Sequence, residues 1–309
     1  MANATLLSLF QTTLQSMGVV TYGLPSTVIS NTNQDVVQTL ALVHGAGDEI
    51  LREYPWQASL KQHIFQTVFY EYTGDTITGS TSVTNMSSVS GLTTTPTYFQ
   101  VEGNGIPQDC FLSAATGTTV TLAQEAEASG TTVSLTFNQV LYSPPSDFDA
   151  QLDKTHWDKT KHWEMLGPST PQQREWLRSG FISTGPRIRY SYIGGFFMIW
   201  PQLGAEDSLA YEYRSKNWIL ATGGTAPTKQ LFTADTDTTI YPDPLMRALI
   251  KLKYLEAKGM DTTAAKRYYD DQIGLAKAHD SGSLTLSMAP RLSSVLLTQD
   301  NIPDSGYGS

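Results

Sequence analysis

The chain has 309 residues, room for one large domain or two modest ones with real cores, and its 20 Lys and Arg against 29 Asp and Glu leave a net charge of -9. That balance argues against sequence-independent duplex binding, which relies on phosphate neutralisation by basic side chains, yet it suits a channel that DNA crosses without sticking. Cys110 is the only cysteine, which excludes an internal disulfide and any multi-cysteine metal site and fits a reducing compartment. Met1–Thr5 lacks the basic start of a secretory signal and no apolar run is long enough for a bilayer, so a soluble protein made in a cytoplasm, with no membrane partner, is expected.

In chain order, Leu6, Leu7, Leu9, Phe10, Leu14 and Met17 form a helical stripe ended by Gly18. Gly23–Pro25 and Asn31–Asn33 make a loop, and Thr32 followed by Asp35 resembles a capping box. The helix it starts carries Val36, Leu40, Val43, Ile50, Leu51 and Tyr54 at three-to-four spacing and ends before Pro55. Gly45 and Gly47 inside it each cost about 1 kcal/mol relative to Ala, which predicts close packing against another backbone. Ile64–Tyr72 reads as one strand.

The composition then changes. From Thr73 to Asn138 there is no Lys or Arg, and Ser, Thr and Gly dominate. Strand-like pieces at 97–101, 118–122 and 132–137 alternate with turns at 103–107 and 127–130. This predicts a small all-β barrel or sandwich inserted between strand 64–72 and a strand at 139–142, its ends close together on the surface.

Beyond the insertion, Ser169 or Thr170 caps a short helix with Pro171 in its first turn and Trp176 and Leu177 inside. Arg187–Ile193 and Phe196–Trp200 flank Gly194 and Gly195, a hairpin signal. In 208–219, Leu209, Tyr211 and Tyr213 alternate with Ala210, Glu212 and Arg214. These strands predict one small antiparallel sheet covered by helices. A mobile Gly- and Thr-rich loop at 222–238 leads to a helix with Leu245, Leu249, Leu252 and Leu255, closed by Gly259. A last helix runs from Asp261 or Thr262 through Tyr268, Tyr269, Ile273 and Ala276 to Gly282. The tail carries Leu284, Leu286, Leu292, Val295, Leu296, Leu297 and Ile302 without a period; burial on a partner and packing across its own domain both remain open. The fold class is α+β: a helical body with a small antiparallel sheet, an inserted all-β module and an extended C-terminal arm. The expected divisions are 1–72, 73–138, 139–282 and 283–309.

Chemistry-bearing residues are densest in 147–164, with Asp147, Asp149, Asp153, His156, Asp158, His162 and Glu164 around Trp157 and Trp163. A metal would need two His and a carboxylate, but the spacing of His156 and His162 matches no usual site. A glycosidase would need two carboxylates across a cleft, such as Asp158 and Glu164. The plainer expectation is a hydrogen-bonded loop with Trp157 and Trp163 buried and the carboxylates facing Lys154, Lys159 and Lys161. No phosphate-binding loop, dinucleotide fingerprint, nucleophile elbow or zinc-protease motif is present. Cys110 reads as a small buried apolar residue, and no catalytic residue, metal or cofactor is assigned.

The order of Tyr54–Trp56, Pro145–Asp149, Thr155–Asp158, His162–Trp163, Leu166–Pro168, Leu209–Tyr213, Ser215–Trp218 and Ile302–Tyr307 resembles the head-to-tail adaptor proteins of short-tailed bacteriophages, also called tail accessory factors or head-completion connectors. The likeness covers about residues 3–72 and 139–308. The family has no fixed module at 73–138, where the pattern resembles small β modules of phage structural proteins. The resemblance implies a non-enzymatic virion protein at the head–tail junction: a ring, usually a dodecamer, beneath the portal protein, extending the DNA channel and docking the tail nozzle or fibres. It implies that Tyr54, Trp56, Asp147, Phe148, Trp157, Trp163, Tyr211, Tyr213 and Trp218 form the motif core. It also implies that the tail, with Leu284, Leu286, Leu292, Val295, Leu296, Leu297, Ile302, Pro303 and Tyr307, reaches the portal or a neighbouring copy. A peptidoglycan-degrading virion enzyme and a receptor- or carbohydrate-binding tail protein acting through the β insertion are the alternatives.

Overall fold

The computed structural model describes residues 3–18, 23–178, 187–201 and 206–280. Within them the chain is α+β. Its α-helices are α1 (Leu6–Met17), α2 (Gln34–Glu53), α3 (Pro171–Arg178), α4 (Asp243–Ala257) and α5 (Thr263–Asp280). Gly18 ends α1 as expected, and it does so in the left-handed conformation. The cap of α2 falls one residue later than expected: Asn33 Oδ1, not Thr32, accepts the Asp35 N–H at 3.0 Å. Asn reaches that amide as well as Thr does, so the acidic residue at 35 did not mark the cap. Helix α3 has a reciprocal cap, with Thr170 Oγ1 accepting from the Gln173 N–H and Gln173 Oε1 from the Thr170 N–H.

The expected strand over Ile64–Tyr72 is two strands, β1 (Leu60–Gln66) and β2 (Phe69–Thr76), in different sheets. The break is at Thr67, which exchanges hydrogen bonds with Asp207 (Thr67 N–H to Asp207 O, 2.9 Å; Asp207 N–H to Thr67 Oγ1, 2.8 Å), while the next amide, Val68, donates to the Tyr142 hydroxyl. An unbroken apolar run does not show such a switch of partner.

Strand β2 opens the inserted module with β3 (Ser82–Val83), β4 (Phe99–Gly103), β5 (Cys110–Thr116), β6 (Thr119–Leu122) and β7 (Gly130–Gln139). The sheet order is β2-β7-β4-β5-β6-β3. Asp75 and Thr84 then exchange backbone hydrogen bonds at 2.8 and 3.0 Å, bringing the β3 end back to β2 in a nearly closed barrel. Val83, Phe99, Val101, Leu112, Val120, Leu135 and Phe137 fill it, with Cys110 among them as a buried small residue. Residues 73 and 138 lie inside β2 and β7 rather than at their ends. The barrel is tied to its surroundings: Arg178 of α3 pairs with Asp109 at 2.7 Å and lies over the Phe111 ring, and Tyr98 packs on Phe196.

The remaining strands are β8 (Leu141–Tyr142), β9 (Phe148–Gln151), β10 (Trp157–Asp158), β11 (Trp163–Glu164), β12 (Arg189–Ile193), β13 (Phe196–Trp200), β14 (Ser208–Ser215), β15 (Ile219–Leu220), β16 (Pro227–Lys229) and β17 (Thr238–Thr239). Here the expectation of one sheet is corrected to two. Strand β14 is the centre of the first, with β1 along one side and β10 and β9 along the other. The hairpin β12–β13, turning on Gly194 and Gly195 with both φ positive, forms the second with β8. The apolar rows of both meet face to face: Phe65, Leu209, Tyr211 and Tyr213 against Tyr142, Tyr190 and Phe197. Alternation shows which face of each strand is apolar but not whether that face is buried beside a strand or across from one.

The helices make a separate core. Leu6, Leu9 and Phe10 of α1, Val43, Ala46 and Ile50 of α2, Leu245, Met246 and Leu249 of α4 and Tyr269 and Ile273 of α5 share it with Trp56, Trp218 and Tyr241. The expected loop at 222–238 contributes β16 and turns around buried Asp237, which accepts from the Thr233 and Ala234 N–H groups and the Lys229 ammonium.

Candidate functional site

Seven of the nine motif residues separate into two clusters, one in each core, while Trp157 and Trp163 belong to neither. In the helical core, Trp218 is the pivot. It is fully buried, donates from Nε1 to Asp48 Oδ1 at 2.9 Å, stacks on Tyr241 at 5.8 Å and meets Phe232 edge-on at 5.4 Å. Tyr241 donates to the Gly47 carbonyl and touches Trp56, whose Nε1 donates to Ile50 O; Tyr54 packs edge-on against Trp56. This cluster fastens β15 to α2. Gly47 is indeed a close-packing glycine, but against a ring rather than a backbone; Gly45 is exposed with no neighbour where a Cβ would be.

In the β core the node is Asp147. Its carboxylate accepts from Lys61 Nζ (2.7 Å), the Tyr213 hydroxyl (2.8 Å) and the Ser215 hydroxyl (2.8 Å), and its carbonyl accepts from the Lys216 N–H. Lys61 also donates to Pro227 O. One side chain thus joins β1, β14 and the 147 loop, while its cation reaches β16. Burial alone would raise the Asp147 pKa; the three donors and the Lys61 charge outweigh it and hold it at about 2. A depressed carboxylate stabilises the fold above its ordinary pKa of 3.8, and that share is lost as pH falls from there to about 2. Asp147→Asn keeps the shape but not the charge, and we expect it to cost about 1.5 kcal/mol in urea unfolding at pH 7, with little effect at pH 2. An equal cost at both pH values would mean that packing, not charge, holds the node.

Phe148 stacks on Tyr213 beside Tyr211. His156 lies deeper, with no exposed surface. Its ring stacks on Tyr190 at 3.8 Å, with Phe197 and Tyr211 on nearly parallel planes; its Nε2 is 3.5 Å from the Tyr192 hydroxyl, and its Nδ1 finds no partner among the described residues. Burial lowers its pKa to about 4, against a smaller opposing pull from Asp153. Burial likewise raises Tyr190, to about 12, and pushes Tyr142, Tyr192 and Tyr211 upward.

The 147–164 segment therefore differs from expectation. Trp163 is 40 % exposed and Trp157 half-buried, because β10 and β11 pair at the edge of the sheet; the buried ring is His156. Of the expected lysines only Lys161 serves, and it pairs with Asp207 at 2.6 Å as well as lying at 4.0 Å from Asp158. Asp149 pairs with Arg214 and Asp158 caps the Thr160 and Lys161 amides. Asp149 is thus spent on a cation of β14 and Asp158 on amides of its own loop. Among the described residues, no His, Cys, Asp and Glu side chains converge in a group of three or more that could hold a metal ion.

Reading the residues singly missed Lys61, Tyr241 and the role of His156. Lys61 is an ordinary cation in a strand, and Tyr241 follows a Thr-rich loop without a period, so neither carries a local signal. The arm residues Leu284, Leu286, Leu292, Val295, Leu296, Leu297, Ile302, Pro303 and Tyr307 lie outside the described residues. A cleft of about 640 Å³ lies away from both clusters, between α1, α2, the loop at 23–26 and the end of α4. Two further apolar side chains stand out on α5: Tyr268 and Leu275, two turns apart on one face, are each at least half exposed. No helix among the described residues is long and apolar enough to cross a membrane. Comparison with models of known protein families finds no match, and comparison with curated proteins finds none either.

Proposed function

We propose that this chain is a structural virion protein, a head-to-tail adaptor whose copies form a ring beneath the portal protein, extend the DNA channel and dock the tail nozzle or fibres. The observation that carries the reading is the use made of the motif residues. Trp56, Trp218, Asp147, Phe148, Tyr211 and Tyr213 are consumed in holding helices and sheets together, and of the carboxylates nearby Asp149 is engaged with a cation and Asp158 with amides. The outward stripe of Tyr268 and Leu275 on α5 gives the helical body an apolar face for a neighbouring copy. The charge of -9 suits a conduit that lets DNA pass. The arm beyond residue 282 would reach the portal or the next copy around the ring.

The test is electron-microscopic imaging of the full chain mixed with its portal ring. A second ring stacked coaxially on the portal is the expected result. Leu275→Glu, at an exposed position that the fold does not use, should abolish that ring while leaving the far-UV spectrum unchanged. A folded wild-type chain that adds no density to the portal would overturn the adaptor reading.

A further inference from the structure

Strand β1 is an open edge. Its whole length pairs with β14, from Leu60 opposite Arg214 to Gln66 opposite Ser208, without a bulge. The direction of the β14 groups settles which β1 groups are spent. The Ser208 and Glu212 carbonyls accept from Lys159 and Leu152, and their amides donate to Thr160 and Thr155, all on the side of β10 and β9. Backbone groups alternate sides along a strand, so Leu209, Tyr211 and Tyr213 face β1 and bond to Phe65, His63 and Lys61. The N–H and C=O groups of Gln62, Ile64 and Gln66 therefore point away from β14, and among the described residues nothing accepts from or donates to them. All three side chains are exposed, Ile64 by half. None is charged and none is proline, so the edge lacks the usual guards against strand pairing.

The last described residue of the chain lies close to the start of this edge strand. Helix α5 ends at Asp280, whose carboxylate accepts the Gln57 N–H at 3.0 Å, three residues before β1 begins. Beyond Ser281 and Gly282, which together span roughly 7 Å, the sequence Ser283–Met288 alternates: Leu284, Leu286 and Met288 against Ser283, Thr285 and Ser287. The tail as a whole has no period, but these six residues do, and they are bounded by Gly282 and Pro290. Six residues are enough to run beside all but one of the seven residues of β1.

We propose that Ser283–Met288 adds to the free edge of β1 in its own chain as a parallel strand. Both segments start from the Gln57–Asp280 contact and run the same way. In that register the apolar row covers His63 and Phe65, whose half-buried rings stack at 5.4 Å. The hydroxyl row stands beside Gln62, Ile64 and Gln66. The assignment does not depend on the adaptor reading; beside that reading it shortens the partner-reaching part of the arm from 283–309 to 289–309.

Amide hydrogen exchange on the full chain, without portal, tests it. The Gln62, Ile64 and Gln66 amides should be protected, and Leu286→Pro, which removes a donor from the middle of the added strand, should speed their exchange at least about tenfold. Lys61, His63 and Phe65, bonded to β14, should be unchanged, and Leu296→Pro, beyond the segment, should leave all six amides as in the wild type. Rapid exchange at Gln62, Ile64 and Gln66 in the wild type, or protection that survives Leu286→Pro, would overturn the proposal. Protection that disappears on dilution would also overturn it, because the strand would then come from a second copy.

Discussion

Gly47→Ala is expected to destabilise the protein by about 2 kcal/mol, whereas Gly45→Ala, two residues earlier in the same helix, should stabilise it by up to about 1 kcal/mol. Helix propensity alone gives both substitutions the same favourable sign. What separates them is what a Cβ would meet. At Gly45 there is no atom within 4 Å; at Gly47 the Trp218 ring carbons lie at 2.2, 2.3 and 2.5 Å. Trp218 cannot give way cheaply. Its indole is fully buried, bonded to Asp48 and held between Tyr241 and Phe232, so moving it disturbs three partners at once. Overpacking of this kind costs about 3 kcal/mol at the upper end of its usual range, and the gain in helix propensity offsets about 1 kcal/mol of it. Urea unfolding of the two variants decides the matter. A Gly47→Ala chain as stable as the wild type would show that the packing of β15 on α2 can relax.

The second large effect is acid sensitivity from His156. Buried among Tyr190, Tyr192, Phe197 and Tyr211, its imidazole stays neutral in the folded chain until about pH 4, whereas in the unfolded chain it takes its proton near 6.5. The folded-state pKa is the lower one. Stability is therefore complete above pH 6.5, declines as pH falls because only the unfolded state binds the proton, and levels out below about 4, where both states bind it. The full loss is on the order of 3 kcal/mol, most of it present by pH 4.5. Asp153 is the charged group that partly counters it. His156→Phe keeps a ring in the stack and has no proton to gain. Between pH 7 and 4.5 it should lose about 2 to 3 kcal/mol less stability than the wild type. Parallel losses in the two proteins would place the acid sensitivity elsewhere. The window of Asp147, from 3.8 to about 2, lies below this one, so the two groups are separable by pH alone.

Helices α1, α2, α4 and α5 were legible because each buries a face with a 3.6-residue period, α3 because of its cap, and the helices are punctuated by Gly18, Pro55, Pro171 or Gly259. The Gly194–Gly195 hairpin was legible because its turn needs two positive φ angles that glycine adopts freely. The six-stranded module was marked by its Thr-rich alternation and the absence of basic residues. Its near closure was not, because the Asp75–Thr84 backbone pair leaves no trace in side-chain type.

By itself the sequence determined which residues alternate as apolar along each element, roughly where the helices and the Gly194–Gly195 turn fall, and that Cys110 stands alone; these follow from local periodicity and backbone chemistry. Only the tertiary structure decided that β1 and β2 part company at Thr67, that the two aromatic sheets stack face to face, and that His156 rather than Trp163 is the buried ring of its loop. It alone decided that Asp147 belongs to Lys61, Tyr213 and Ser215. Each of these depends on a partner 65 or more residues away or on a choice between equivalent faces, and such pairings are set by how several surfaces are buried together, not by the pattern within any one of them.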